Sequence, residues 1–148
     1  MTDYKLLCEQ LRSLTEGVPY VTANLANASA LLYETLPDLN WAGFYLFQNN
    51  KLILGPFQGK TACIEIAMGK GVCGTSAQKG KTVVVEDVHQ FPGHIACDSA
   101  SNAEIVVPLY VRGTLFGVLD IDSPVRCRFS EQDREGLERF ARQLEKAL

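Results

Sequence analysis

Glu104-Ile105-Val106-Val107-Pro108-Leu109-Tyr110-Val111-Arg112-Gly113-Thr114-Leu115-Phe116-Gly117-Val118-Leu119-Asp120-Ile121-Asp122 is an apolar, β-branched run interrupted once, at Arg112-Gly113. Two such runs joined by a short glycine-containing turn read as a β-hairpin, with strands over about 105–111 and 115–122. The loop length decides which side chains share a face, because a slip of one residue sends a whole set to the other side. A two-residue loop sets Ile105 opposite Asp120 and places that carboxylate on the Ile105, Val107 and Leu109 face. A three-residue loop, Val111-Arg112-Gly113 with Gly113 left-handed as a bulge, separates the two sets. Ile105, Val107, Leu109, Leu115, Leu119 and Ile121 then share an apolar face. Glu104, Val106, Tyr110, Phe116, Val118, Asp120 and Asp122 share the other. The apolar pattern favours the three-residue loop.

That choice gathers three carboxylates. Asp120 and Asp122 lie roughly 7 Å apart along one strand, with Glu104 across from them. Ordinary surface acids at a strand end would look the same, but Val118 and Phe116 on this face speak against open solvent. Like charges so close call for a cation or a retained proton among them. No histidine motif supports a metal site. The cluster suits an ammonium ligand or a carboxyl kept neutral as a catalytic acid.

Working outward, Trp41 to Phe47 reads as a strand and Asn49-Asn50 as a turn. Leu52-Ile53-Leu54 begins the returning strand. Alternation puts Trp41, Gly43, Tyr45 and Phe47 on one face and Ala42, Phe44 and Leu46 on the other. By composition alone Trp41 is a core residue, although Gly43 between Trp41 and Tyr45 leaves room for a ligand. Leu6, Leu7, Leu11 and Leu14 recur at helical spacing over about 3–16, capped by Thr2 or Asp3 and ended by Gly17. A second helix is expected over about 20–36, between Pro19 and Pro37. A last one runs from about Ser130 to Ala147, with Ser130 and Asp133 spaced as a capping box and Leu137, Phe140, Ala141 and Leu144 as its stripe.

Between these elements lies Gly55 to Asp98, punctuated by glycine and proline and so expected to be largely loop. Ala62 to Ala67 and Thr82 to Glu86 read as short strands within it. Gly71 to Gln78 reads as one or two helical turns, with Gly74 and Gly80 as breakers. His89 to Ser101 reads as irregular. This stretch holds Cys63, Cys73 and Cys97, three of five cysteines, which makes it the place to look for chemistry.

The chain has 148 residues, 47% hydrophobic and 21% charged, enough for one domain with a buried core. A net charge of -3 gives no basic surface for nucleic acid. No apolar run reaches membrane-spanning length and no secretory leader is evident, so a cytoplasmic protein with reduced thiols is expected. The odd cysteine count argues against a fixed disulfide framework.

Taken together, the Gly55–Asp98 stretch, Trp41-Ala42-Gly43-Phe44-Tyr45, Ser101 to Pro108 and Gly117 to Pro124 resemble the free methionine-(R)-sulfoxide reductases, which are single GAF-domain enzymes. The resemblance spans nearly the whole chain. It implies an α+β fold over residues 1–148, an antiparallel sheet with helices on one face and a loop-covered pocket on the other. It implies redox roles for Cys97, Cys73 and Cys63 and a substrate site of Glu104, Asp120 and Asp122, walled by Trp41 and Tyr45. Cys97 is then the nucleophile, and Cys73 or Cys63 the thiol that closes a disulfide. No metal or organic cofactor is required, thioredoxin or a similar dithiol is the implied reductant, and a homodimer is compatible. Cys8 and Cys127 fall outside the pattern, and His89 and His94 read as loop or structural residues. Against this stand a ligand-binding GAF sensor without turnover and a thiol redox sensor. Steady reduction of methionine sulfoxide separates the enzyme from both.

Overall fold

The computed structural model describes residues 1–94 and 99–148. Two helices open the chain, α1 (Tyr4–Thr15) and α2 (Val21–Thr35). The strands β1 (Trp41–Gln48), β2 (Lys51–Gly59) and β3 (Glu65–Ala67) follow, then α3 (Gly71–Lys79) and β4 (Val83–Val85). The strands β5 (Ala103–Val111) and β6 (Thr114–Ser123) precede the closing helix α4 (Glu131–Glu145). The six strands form one antiparallel sheet in the order β3-β2-β1-β6-β5-β4.

One face of that sheet carries the main core. Leu7 and Leu11 of α1, Leu25, Ala28 and Leu32 of α2, and Leu137, Phe140, Ala141 and Leu144 of α4 pack on Ala42, Phe44, Ile105, Val107, Leu109, Leu119 and Ile121. Phe44 and Phe140 are fully buried, so truncating either to alanine costs about 3–5 kcal/mol. The caps expected from the sequence hold these helices in register. Asp3 accepts from the Leu6 amide at 3.0 Å, and Ser130 with Asp133 forms a complete capping box. The Tyr4 hydroxyl donates to Asp133 at 2.6 Å and ties α1 to that cap. Gly136 admits the Tyr4 ring, with which a Cβ would collide.

The β5–β6 turn differs from expectation. Val111 pairs with Thr114, so the loop is the two residues Arg112 and Gly113, both left-handed (φ 51° and 77°). That is the twist a two-residue hairpin favours. The register slips further on, between Leu109 and Tyr110, where Leu109 pairs with Gly117 and Tyr110 with Leu115. This bulge restores the expected faces from Gly117 onward: Glu104 faces Asp122, Val106 faces Asp120 and Ile105 faces Ile121. Only the residues before the slip are exchanged. Leu115 joins the pocket-side cluster and Phe116 the helix-side core.

Two further departures lie in the glycine-rich stretch. Gly55 to Gly59 is strand, the second half of β2. The β1–β2 register shifts between Gly43 and Tyr45, and Pro56 sits at that irregularity, the position in a sheet that tolerates a missing N–H. A Cβ on Gly43 would collide with Phe57, which is why β1 carries a glycine there. Gly74 does not break α3. It lies within the helix, close against the Ala67 carbonyl. Gly80 does end it, as a left-handed C-cap at φ 65°. Unlike the other three helices, α3 packs on the opposite face of the sheet, where Val72, Cys73 and Ala77 meet Trp41, Tyr45, Val106 and Val118.

Candidate active site

The pocket-side face of β1, β5 and β6 is the floor of a cavity. Alternation along β6 aims Asp120 and Asp122 into it, and the paired register brings Glu104 of β5 opposite Asp122. Gly43 of β1 lies beside Asp120 and Trp41 beside Asp122. Glu104 and Asp120 are 8% and 5% exposed, rare burial for carboxyls outside a functional setting. Residues 71–73, at the start of α3, close the cavity from above. The Cys73 thiol points at Glu104, with Sγ 3.9 Å from Oε2. Ligand atoms of Cys73, Glu104 and Asp120 all lie within 4.8 Å of one another.

Burial, reinforced by Asp120 and Asp122, pushes the Glu104 carboxyl well above the ordinary range. Burial also raises Asp120, against hydrogen-bonding contacts with Glu104, Cys73 and Asp122 that lower it. Burial, again first, and then the neighbouring acids drive the Cys73 thiol up. Asp120 Oδ1 is buried and receives no hydrogen bond from a described residue. An acceptor in that position calls for a shared proton or a cationic donor. The same three groups are the one cluster among the described residues close enough to hold a metal ion. Metal binding needs deprotonated ligands, whereas burial and mutual repulsion here favour retained protons.

Trp41 forms an aromatic wall, its ring stacked on Phe57 at 5.0 Å and on Tyr45 at 5.9 Å. Both polar tips are used. Trp41 Nε1 donates to the Lys60 carbonyl at 3.1 Å, and the Tyr45 hydroxyl to the Cys63 carbonyl at 2.8 Å. The wall therefore also anchors the segment that carries Cys63. That cysteine is disulfide-bonded, whereas Cys8, Cys73 and Cys127 are free thiols. Cys97 lies outside the described residues.

Of the residues singled out in the sequence, Trp41, Tyr45, Cys73, Glu104, Asp120 and Asp122 line one cavity. Cys63 stands at its margin through the Tyr45 bond. The sequence reading missed Lys70, His94 and Ser101, which also line it. His94 is half-buried, and burial followed by the neighbouring His89 lowers its pKa, favouring a neutral imidazole in the wall. Ser101 accepts from Asn40 at 2.9 Å. No periodicity marks these three, since each precedes or ends a turn. Among the described residues no helix is long and apolar enough to cross a membrane.

Comparison with known proteins gives a consistent result. The GAF domain family model matches residues 7–148. An Escherichia coli protein named free methionine-R-sulfoxide reductase is 54% identical over 145 residues, covering 98% of this chain and 88% of that one. A Staphylococcus aureus fRMsr structure in complex with substrate is 51% identical with a TM-score of 0.96, covering 100% of this chain and 97% of that one. A free methionine-R-sulfoxide reductase from Neisseria meningitidis, in complex with its substrate, is 45% identical with a TM-score of 0.94, covering 97% and 87%.

Proposed function

Because the chain belongs to the GAF domain family and, within it, to the free methionine-(R)-sulfoxide reductases, we propose that it reduces free L-methionine-(R)-sulfoxide to methionine. The observation that carries this reading is the floor of Glu104, Asp120 and Asp122 beside the Trp41–Tyr45 wall. Buried carboxyls favour a substrate ammonium, the aromatic wall takes a methyl group, and a carboxyl that keeps its proton serves a leaving oxygen.

In the mechanism we infer, the Cys97 thiolate attacks the sulfoxide sulfur. Glu104, kept protonated by burial and by its acidic neighbours, gives its proton to the oxygen. The thiolate's electron pair reduces the sulfoxide, the oxygen passes to Cys97 as a sulfenic acid, and methionine leaves. A second thiol displaces that oxygen as water and closes a disulfide. The disulfide at Cys63 and the free, buried thiol at Cys73 favour Cys63 in this step. Cys73 then acts as a neutral donor toward Glu104. Thioredoxin or a similar dithiol restores both thiols, as befits a cytoplasmic enzyme. Residues 1–148 form the single GAF domain that does this, alone or as a homodimer.

The test is turnover of resolved sulfoxide diastereomers, free and peptide-bound, with a dithiol reductant. Activity is expected on the free R form, with little on the S form or on peptides. Equal efficiency on a methionine-sulfoxide protein overturns the assignment.

A further inference from the structure

Each turnover strips Glu104 of its proton, which leaves with the sulfoxide oxygen. Disulfide closure turns that oxygen into water with the proton of the second thiol, so Glu104 gets none back. Cys97 sheds one proton in becoming a thiolate and Glu104 takes one up, so the two cancel in each cycle. Uptake is the hard part, because Glu104 and Asp120 are 8% and 5% exposed. Three titratable groups that line the cavity also reach toward solvent: Lys70, Asp122 and His94. An ammonium keeps its proton at neutral pH and an ordinary carboxyl has already lost it, whereas an imidazole exchanges there.

The chain leading to His94 sets a second imidazole outside the first. Val88 is fully buried in the pocket-side cluster. Its amide donates to the Asn102 carbonyl at 2.8 Å, which pins the single turn Val88–Gln90 to the start of β5. Asp87 caps that turn. Its carboxylate accepts from the His89 amide at 3.0 Å and lies 2.9 Å from His89 Nδ1. These bonds, and then Arg126, hold the Asp87 carboxyl below the ordinary range. A carboxylate only accepts, so it fixes a proton on Nδ1 and leaves Nε2 of this exposed ring to exchange. Phe91 packs on the same cluster, and the His94 amide donates to its carbonyl at 3.2 Å. The two rings then stand 6.5 Å apart, centre to centre, a gap that one water bridges. His94 lines the cavity beside the acids. It is close enough to Asp120 for that carboxyl to offset part of the lowering that burial and His89 impose on the imidazole.

We propose that His94 carries protons from solvent to the acid cluster and so restores Glu104 after each turnover, with His89 as the outer station and Asp87 as its positioning residue. This deepens the reductase reading above and rests on it. The neutral His94 ring takes a proton at one nitrogen, by way of His89 and water, and releases the proton of the other nitrogen toward the cluster. Asp120 is the first acceptor on that side and Glu104 the last. Nothing is oxidised or reduced in this step, and the reverse exchange between turnovers returns the starting tautomer.

The experiment separates the first turnover from the later ones. Glu104 begins protonated, so His94→Gln should slow steady turnover far more than the rapid-quench release of the first methionine. Steady turnover at saturating dithiol should fall by about 10²-fold, the lower end of what a positioned proton-transfer group contributes. Imidazole added at about pH 7 should restore much of it in proportion to its concentration, as a diffusible base of similar pKa replaces the missing ring. Further dithiol should not help, which separates a proton deficit from slow disulfide recycling. His89→Gln, at an exposed position, should show the same pattern more weakly. A histidine that only shapes the pocket would slow the first methionine as much as the later ones and would not respond to imidazole. Either result overturns the proposal, as does unchanged steady turnover in His94→Gln. If the wild type reduces no methionine sulfoxide, the reductase reading falls and the link between His94 and the cluster is judged by NMR. The His94 ring should then titrate at lower pH in Asp120→Asn, because the carboxyl that raises its pKa is gone, and an unmoved midpoint overturns the link.

Discussion

Replacing Asp120 by asparagine should make the protein more stable and a poorer enzyme, with a gain that depends on pH. The side chain is 5% exposed, and its Oδ1 is buried without a donor. Glu104 and Cys73 stand within 4.8 Å. Asparagine keeps the shape, removes the charge and brings an amide that can donate to Glu104. A buried unsatisfied polar group costs about 1–3 kcal/mol. Recovering half of that stabilises the fold by about 1 kcal/mol, or about 2–4 °C in Tm for a chain of this size. The pH dependence has a definite sign. The folded-state pKa of Asp120 is raised, so its contribution is full below the unfolded value of about 4 and is lost as pH rises through the folded one. Asparagine does not titrate, so its advantage should be smallest near pH 4 and grow toward pH 8. Loss of a charged partner for the ammonium, about 1.5–3 kcal/mol, should raise KM by about 10- to 150-fold. Thermal melts at pH 4.5 and 8, with steady-state kinetics at the higher pH, measure both effects. A variant less stable than wild type at pH 8, or a gain that does not change with pH, refutes the reasoning.

Glu104→Gln should lower turnover by about 10²- to 10⁴-fold as the proton donor is lost, and should erase the alkaline decline that the raised Glu104 pKa gives the wild-type profile; wild-type rates in the variant would remove Glu104 as the acid. Cys73→Ser should keep recycling with thioredoxin, because its thiol is free and buried, whereas Cys63→Ser should stop after one methionine per site, and the opposite pattern in a rapid-quench assay would exchange their roles. Cys97→Ser should release no methionine even in a single turnover, and a full burst from it would reassign the nucleophile. Tyr45→Phe removes the 2.8 Å bond to the Cys63 carbonyl, at a cost of about 0.5–1.5 kcal/mol. It should slow disulfide closure more than the first methionine-forming step, and an equal effect on both would mean that the bond does not position Cys63.

Much of this was legible because strand periodicity is a simple rule. The faces of β1, and of β6 from Gly117 onward, were readable from alternation, and the acids fell where the apolar pattern sent them. The hairpin loop was misread for a physical reason. A bulge can sit at the turn or further along the ladder, and both shift register by one. Arg112 at φ 51° is a conformation that composition does not announce. The second half of β2 was hidden by Gly55, Pro56 and Gly59, residues that usually mark loops and here belong to a strand with a bulge beside them. Gly74 looked like a breaker because spacing cannot tell a helix stop from a close approach. Lys70 and His94 were invisible as site residues because their place depends on how α3 and the segment before Ile95 fold over the sheet, which is a tertiary fact.

The arrangement of the sheet explains why the acid cluster keeps its protons rather than moving apart. Repelling carboxyls on a mobile loop would separate and ionise. Here Glu104 and Asp122 are paired residues of adjacent strands, with Asp120 two places along. The residues next to them along the strands, Ile105, Leu119 and Ile121, are fully buried under the helices. To relax the repulsion the strands would have to pull those side chains out of the main core, at about 1.5–3 kcal/mol for each fully exposed. Holding a proton is the cheaper response at neutral pH, since each unit of raised pKa costs only about 1.4 kcal/mol. Packing on one face of β5 and β6 thus sets the protonation state on the other. It follows that a cavity beneath β6, as in Ile121→Ala, should move the alkaline limb of the pH–rate profile toward lower pH, although Ile121 belongs to the opposite face.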